Sequence, residues 1–347
     1  MNRSIGTHGW GAVAIIGLLA MSAGCDPKPD VRMGRQMPNT TPPPGYAPAK
    51  DVPLDSQLRQ TAEAELLKDL GNADPNIRAH AIEALQAATG GMHGAELIAA
   101  LSDKDPLVRY AACLAVGTAR VDGAQGQLTK LVNDPDAAVR VTARYALHRL
   151  GVFTYSHDLE RLALDPEARV RGTTAMVLGM IGDKSAVPLL RRMRKDSYPA
   201  VRQQAAVSLW KLGDDQGLAD LVGWTVSHFE DDEMVALLGL ADPRDRNVIQ
   251  HIRAHLTDDA PEVSLVAARA MGMLGCDEGL GVVHQHLASQ DPRERVLAAL
   301  ALADIGRSDS QGTLRTLEAD PQPDVRIAAS QAILQLKPHF VDECNRG

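Results

Sequence analysis

The sequence predicts an all-α solenoid of about nine 31-residue helical hairpins, and three columns of residues predict it. Arg78, Arg109, Arg140, Arg171 and Arg202 stand 31 apart. The next two positions hold Glu233 and Ser264, and Arg295 and Arg326 then resume in phase. A second column is apolar throughout: Leu66, Leu97, Leu128, Leu159, Leu190, Leu221, Ile252, Val283 and Leu314. A third places Gly151, Gly182, Gly213, Gly275 and Gly306 where a left-handed helix C-cap is expected. A fixed period of this length marks stacked units that are each too small to bury their own apolar face.

Taken from the N-terminus, residues 1–24 read as a secretory leader. Arg3 is followed by an apolar run from Trp10 to Ala23, too short to span a bilayer comfortably. The run ends in Met21-Ser22-Ala23-Gly24-Cys25, which resembles a bacterial lipobox. The resemblance implies a mature chain that begins at a lipidated Cys25, is anchored in the cell membrane and faces the periplasm or extracytoplasmic side. Two acyl chains hold durably, since each buried methylene contributes about 0.8 kcal/mol.

Residues 25–53 hold eight prolines and read as a semi-rigid tether. In 54–70, Leu58, Ala62, Leu66 and Leu70 form a helix in phase with the later second helices, which predicts a cap on the stack. Residues 71–337 are the repeats, and 338–347 a C-terminal tail.

Asp105 to Lys130 is the type unit. Asp105 caps the first helix, Pro106 opens it, and Val108, Ala112 and Ala115 share one face. A small residue recurs near mid-helix as Ala81, Ala143, Ala205, Ala236, Ala267, Ala298 and Ala329, so neighbouring helices can approach closely. A shorter second helix carries the leucine column. At about 10 Å per stacked pair, an open stack of nine would form a curved rod on the order of 90 Å long.

The run Asp105-Pro106-Leu107-Val108-Arg109-Tyr110-Ala111-Ala112 fits D-x-x-V-R-x-x-A, and the chain resembles the HEAT-like repeats of the phycobilisome lyase type. The resemblance implies the solenoid over about three quarters of the chain and is nearly silent on function. Deoxyhypusine hydroxylase, built from similar repeats, binds iron through His-Glu dipeptides. None of the eleven histidines here precedes a Glu. A phosphate loop, a haem-attachment motif and a nucleophile elbow are also absent, so no enzyme and no cofactor is expected.

A formal charge of −8 disfavours nucleic-acid binding. Aromatic content of 3% suits thin helix layers. Cys113 and Cys276 lie about five repeats apart, too far for a disulfide. Cys344 in the tail could reach Cys276, but a solenoid with a continuous core is expected to do without that bond.

The arginine column reads as structural, paired between repeats with Asp74, Asp105, Asp136 and Asp291. The pattern breaks where Val-Arg gives way to Asp232-Glu233 inside the run Glu230-Asp231-Asp232-Glu233. The preceding unit carries Arg191, Arg192, Arg194 and Lys195. Trp224 shares a column with Leu131, Leu162, Met193 and Leu317 and reads as core. Trp210 shares one with Gln86, Gly117, His148, Gly179 and Gly272 and reads as an exposed binding anchor.

These residues predict a partner-binding region on a monomeric protein-interaction scaffold that recognises an unidentified protein along its second-helix face. The alternative is a metal- or cofactor-handling accessory protein, lyase-like, using His251, His255, His284 and His286. His255 and His286, however, share the column of Trp224 and Leu317, and no metal is expected.

Overall fold

The computed structural model describes residues 49–342 and Cys344. The leader, Cys25 and most of the tether lie outside the described residues. Eighteen α-helices alternate between two layers, and the described residues hold no strand beyond a β-bridge between Arg307 and Lys337. The even-numbered helices are long: α2 Pro75–Thr89, α4 Pro106–Ala119, α6 Ala137–Arg149, α8 Ala168–Ile181, α10 Pro199–Lys211, α12 Glu230–Ala241, α14 Pro261–Met273, α16 Pro292–Ile305 and α18 Pro323–Gln335. The odd-numbered helices are shorter, except the first: α1 Ser56–Asp69, α3 Gly94–Ala100, α5 Gln125–Leu131, α7 Leu159–Leu162, α9 Val187–Met193, α11 Asp215–Trp224, α13 Ile249–Arg253, α15 Leu280–His286 and α17 Gln311–Leu317.

Each even helix packs on the next even helix, whereas the odd helices rest on flanking even helices and are splayed from one another. The even helices are therefore the inner, concave layer and the odd helices the outer one. Every member of the leucine column is buried, from Leu66 to Leu314, where the outer layer meets the inner. The alanine column is fully buried between inner helices. Its missing side-chain volume is what allows the tight curvature.

That curvature closes the molecule. The last inner helix, α18, packs against both α1 and α2, so the nine inner helices form a ring. The expected open rod is thus corrected. So is the capping role of the first helix: α1 covers no free end but supplies the outer helix that α18 lacks. Leu66 is the member of the leucine column that α1 brings to α18.

The residues before α1, expected as free tether, are stitched to the far end of the chain. The Lys50 amide donates to Asp309, that of Val52 to the Ser308 hydroxyl and that of Asp55 to Gln311. The tail is held as well. Cys344 forms a disulfide with Cys276, with Cα atoms 5.2 Å apart, and Phe340 packs on the core. The expectation of no disulfide fails because the tail turns back past Arg307, bridging it at Lys337, and brings Cys344 beside the α14 C-terminus.

The glycine column behaves as expected, with φ between 75° and 83° at all five positions. The only two non-glycine residues with positive φ among the described residues, Arg120 and Arg244, fall in the same column. Turn geometry there is imposed by the repeat, whatever residue occupies it.

Candidate functional site: an aromatic rim

The arginine column is structural, but its partners differ from those expected. All seven guanidiniums donate to the carbonyl six residues earlier, clamping the turn between an outer helix and the next inner helix. Four of them also form bidentate pairs, Arg78–Asp103, Arg109–Asp134, Arg171–Asp196 and Arg295–Asp320, with contacts of 2.7–3.0 Å. Asp74, Asp105, Asp136 and Asp291 instead cap the helices they precede, each accepting a backbone N–H through its side chain. The four aspartates that take an arginine, Asp103, Asp134, Asp196 and Asp320, stand two residues before a capping position and reach the arginine of the preceding repeat.

That capping position is the origin of the candidate site. In α10 it is filled by Tyr198 and in α12 by Phe229, and neither gives a side-chain cap. Forgoing a cap costs a helix about 1 kcal/mol. Tyr198 is 56% exposed and Phe229 71% exposed. Leu164 and Val226, in the loops entering α8 and α12, are also exposed and share a column of their own.

Stacked units place these consecutive loops about 10 Å apart along one edge of the ring. The result is an apolar rim where four other repeats present a capping Asp at the position of Tyr198 and Phe229. Tyr198 is steadied from below by the Arg171 guanidinium, 5.5 Å from its ring centre.

Acidic groups flank the rim. Glu230 and Asp231 are exposed in the first turn of α12. Glu233 is pushed above the usual carboxylate range by burial and then by Asp258 and Glu230. Glu262 is raised by burial as well, and Asp291, Glu230 and Asp231 add to it. These carboxylates repel one another, and although Arg293 meets Glu262 at 3.0 Å, the exposed Glu230 and Asp231 leave the edge open to further positive charge.

The basic run does not supply it. Arg191 pairs with Asp214 at 2.6 Å and Arg194 with Asp220, both in the following repeat. Arg192 and Lys195 are exposed. Asp232 accepts hydrogen bonds from Gln203 and Ser227.

Trp210 requires a correction. It is 8% exposed, and its indole N–H donates to the Leu240 carbonyl at 3.1 Å. The glycines in its column mark positions pressed by the next helix, not by solvent; a Cβ at Gly117 would lie 2.7 Å from the Tyr145 ring. Trp210 fills that contact instead of facing water. Trp224 packs against the core as expected.

The four histidines do not converge. His251 and His284 are exposed, while His255 faces Asp258 and His286 pairs with Glu294 at 2.8 Å. Among the described residues, the one group of three potential ligands is Cys276, Asp342 and Cys344, whose cysteines are already joined.

Fold and columns define an all-α solenoid of helical repeats, closed on itself. The HEAT repeats family matches residues 94–163 and 158–231. No curated protein matches the sequence. Among solved structures, the chain is similar to the CpcE–CpcF complex of phycocyanin lyase from Nostoc, at 20% identity over 75% of this chain and 98% of that one, TM-score 0.43. It is similar to human deoxyhypusine hydroxylase at 18% identity over 72% and 98%, TM-score 0.38. An engineered protein matches at 18% identity over 93% and 94%, TM-score 0.31.

Proposed function

We propose that this chain is a non-catalytic, monomeric protein-interaction scaffold, tethered to the bacterial cell envelope through lipid on Cys25, that captures a basic, apolar segment of a partner protein on the Tyr198–Phe229 rim. The observation that carries this reading is the replacement of two helix caps by exposed aromatic residues in adjacent loops. Aromatic anchors ringed by charge are the usual energetic centre of a protein interface. The acidic surround favours a partner with Lys or Arg beside its apolar anchor.

The route of the chain supports the orientation. Residues 50–53 join the ring beside Ser308 and Gln311, at the edge where inner helices end. The rim lies at the opposite edge, where inner helices begin. A 13-residue helix separates the two edges by about 20 Å. An anchor on one edge would leave the rim facing away from the membrane. The Cys276–Cys344 disulfide suits an exported protein. The proposed surface is the loop edge rather than the second-helix face, since among the described residues none of the exposed large apolar residues lies on an outer α-helix and only Phe153 opens the 3-10 turn leading into one.

A photo-crosslinking residue at Phe229, with a control at the exposed Phe153 on the other edge, tests the reading in native membranes. An adduct at Phe229 alone, lost in Tyr198→Asp and weakened at high salt, is expected. Equal adducts at both positions, or none at Phe229, would sink it. Tyr198→Asp should itself be more stable by about 1 kcal/mol, because it restores a cap.

A further inference from the structure

The ring has one junction unlike the others, the seam where α18 and α17 meet α1 and α2. Its chemistry is unusually polar for a closed interface. Glu83 on α2 is 7% exposed and neither carboxylate oxygen has a partner. His80, one turn earlier, gives Nδ1 to Asp324 of α18 at 2.7 Å, while its buried Nε2 has none. Glu318, at the end of α17, encloses an unpartnered oxygen beside Glu65 of α1, and Asp69 and Ser330 each bury another such atom.

At the position of Glu83 the other repeats hold Leu114, Tyr145, Met176, Val207, Leu238 and Leu300, with Arg269 and Gln331 as the further exceptions. Five of those six apolar residues are buried, Met176 being the partly exposed one. A cavity of about 40 Å³ lies against Glu83, lined by His80, Arg269, Leu300, Asp324 and Gln331. The ladder is also thin here: Arg326 makes no bidentate carboxylate pair and meets Glu65 through one contact of 3.3 Å.

We propose that this seam is the latch of the ring, closed while Glu83 and Glu318 carry protons and loosened when both ionise. An unpartnered carboxylate is tolerable in a closed interface as the neutral acid, and costly there as the anion. Burial raises Glu83 to about 7, against a small opposing pull from His80. Burial and then Glu65 raise Glu318 to about 7, with Arg315 opposing. Burial pulls His80 down, but its hydrogen bond to Asp324 and the charges of Glu83 and Asp324 together outweigh it, so it is raised.

The other groups facing this cluster do not relieve it. Arg269 of α14 is bound to Asp304 at 2.6 Å, and Tyr110 of α4 is held neutral by burial. All three shifts are upward, so the stability they lend to closure is full at acid pH. It is lost as pH rises from the ordinary carboxylate value through about 7.

A second set of seam carboxylates acts oppositely. Asp55 is lowered by the Leu58 amide and by Arg315; in Glu65 and Asp309 burial is outweighed by Lys68 and Arg326, and by Arg307. Those contacts fail only at strongly acid pH, so closure is tightest in mildly acid solution.

Hydrogen exchange resolved by helix tests the latch on the full chain, corrected for intrinsic rates. Between about pH 5.5 and pH 8, α1, α2 and α18 should lose protection at least tenfold while α6 to α10 do not. Glu83→Gln combined with Glu318→Gln mimics the protonated pair and should keep the seam protected at both values. Protection independent of pH, loss spread evenly around the ring, or unchanged pH sensitivity in the double variant would each overturn the proposal. Failure of the variant to fold near pH 5.5 would do so too, because the amide is then no substitute for the closed state's acid.

Discussion

Tyr198 and Trp210 lie one helix apart and show how differently two aromatic residues can read. Trp210 attracted attention because its column holds glycines, which resembles freedom from packing. The glycines record the opposite, since a neighbouring helix occupies their space. Trp210→Ala should therefore cost about 3 kcal/mol or more of stability, read from the denaturant midpoint, as a buried aromatic truncation does. Its effect on partner capture should be no larger than that instability explains. Tyr198 and Phe229 are legible in principle: they stand in the column where Asp74, Asp105, Asp136 and Asp291 cap their helices. The sequence pattern hides the capping role of that column, because its aspartates stand close enough to the arginines to suggest pairing with them. Arg171 and Asp196 show the true arrangement, in which hydrogen bonding to the guanidinium holds the Asp196 carboxyl below its usual range. The stability from that pair is present above the ordinary Asp value and is lost as pH falls through the lowered one.

At the scale of elements, the periodicity specified nearly everything local. Helix starts follow from Asp and Pro, helix ends from the glycine column, and the leucine column names the face each outer helix buries. The phase of α1 with the outer helices was also readable. Its destination was not, because nothing within 31 residues encodes what lies 260 residues away. Arg315 pairs with Asp55 at 2.5 Å and Arg59 donates to the Ile333 carbonyl, contacts that no local pattern announces. Removing residues 49–70 should leave α18 without its outer partner and expose the apolar face around Ile333. The truncated chain should bind a hydrophobic dye and melt earlier, and a synthetic peptide of those residues should restore the native melting temperature. A truncated chain as stable as the full one would show that α1 is dispensable to the ring.

At the scale of the whole molecule, shape is set by a sum. Each unit adds a small rotation, and a few degrees per repeat separate an open superhelix from a closed one. That quantity lives in the fit of side chains such as the alanine column and is not visible in any single repeat. Small-angle scattering should give a radius of gyration close to the value of about 20 Å for a compact chain of this length. A clearly larger value would mean that the seam is open in solution. Cleaving the Cys276–Cys344 bond should release the tail without changing that radius, since the bond joins the tail to α14 and not α18 to α1.

Solenoids usually lengthen over evolution by copying a unit, because an extra repeat merely extends an open stack. Here the first outer helix completes the last hairpin, so the number of units is counted by the geometry itself. A duplicated repeat would overshoot the full turn by about 40°, the share of one unit in nine. Its carrier would have to re-tune every junction or abandon closure. The gene for this ring can drift in sequence freely along its columns, but it cannot change length by a single step.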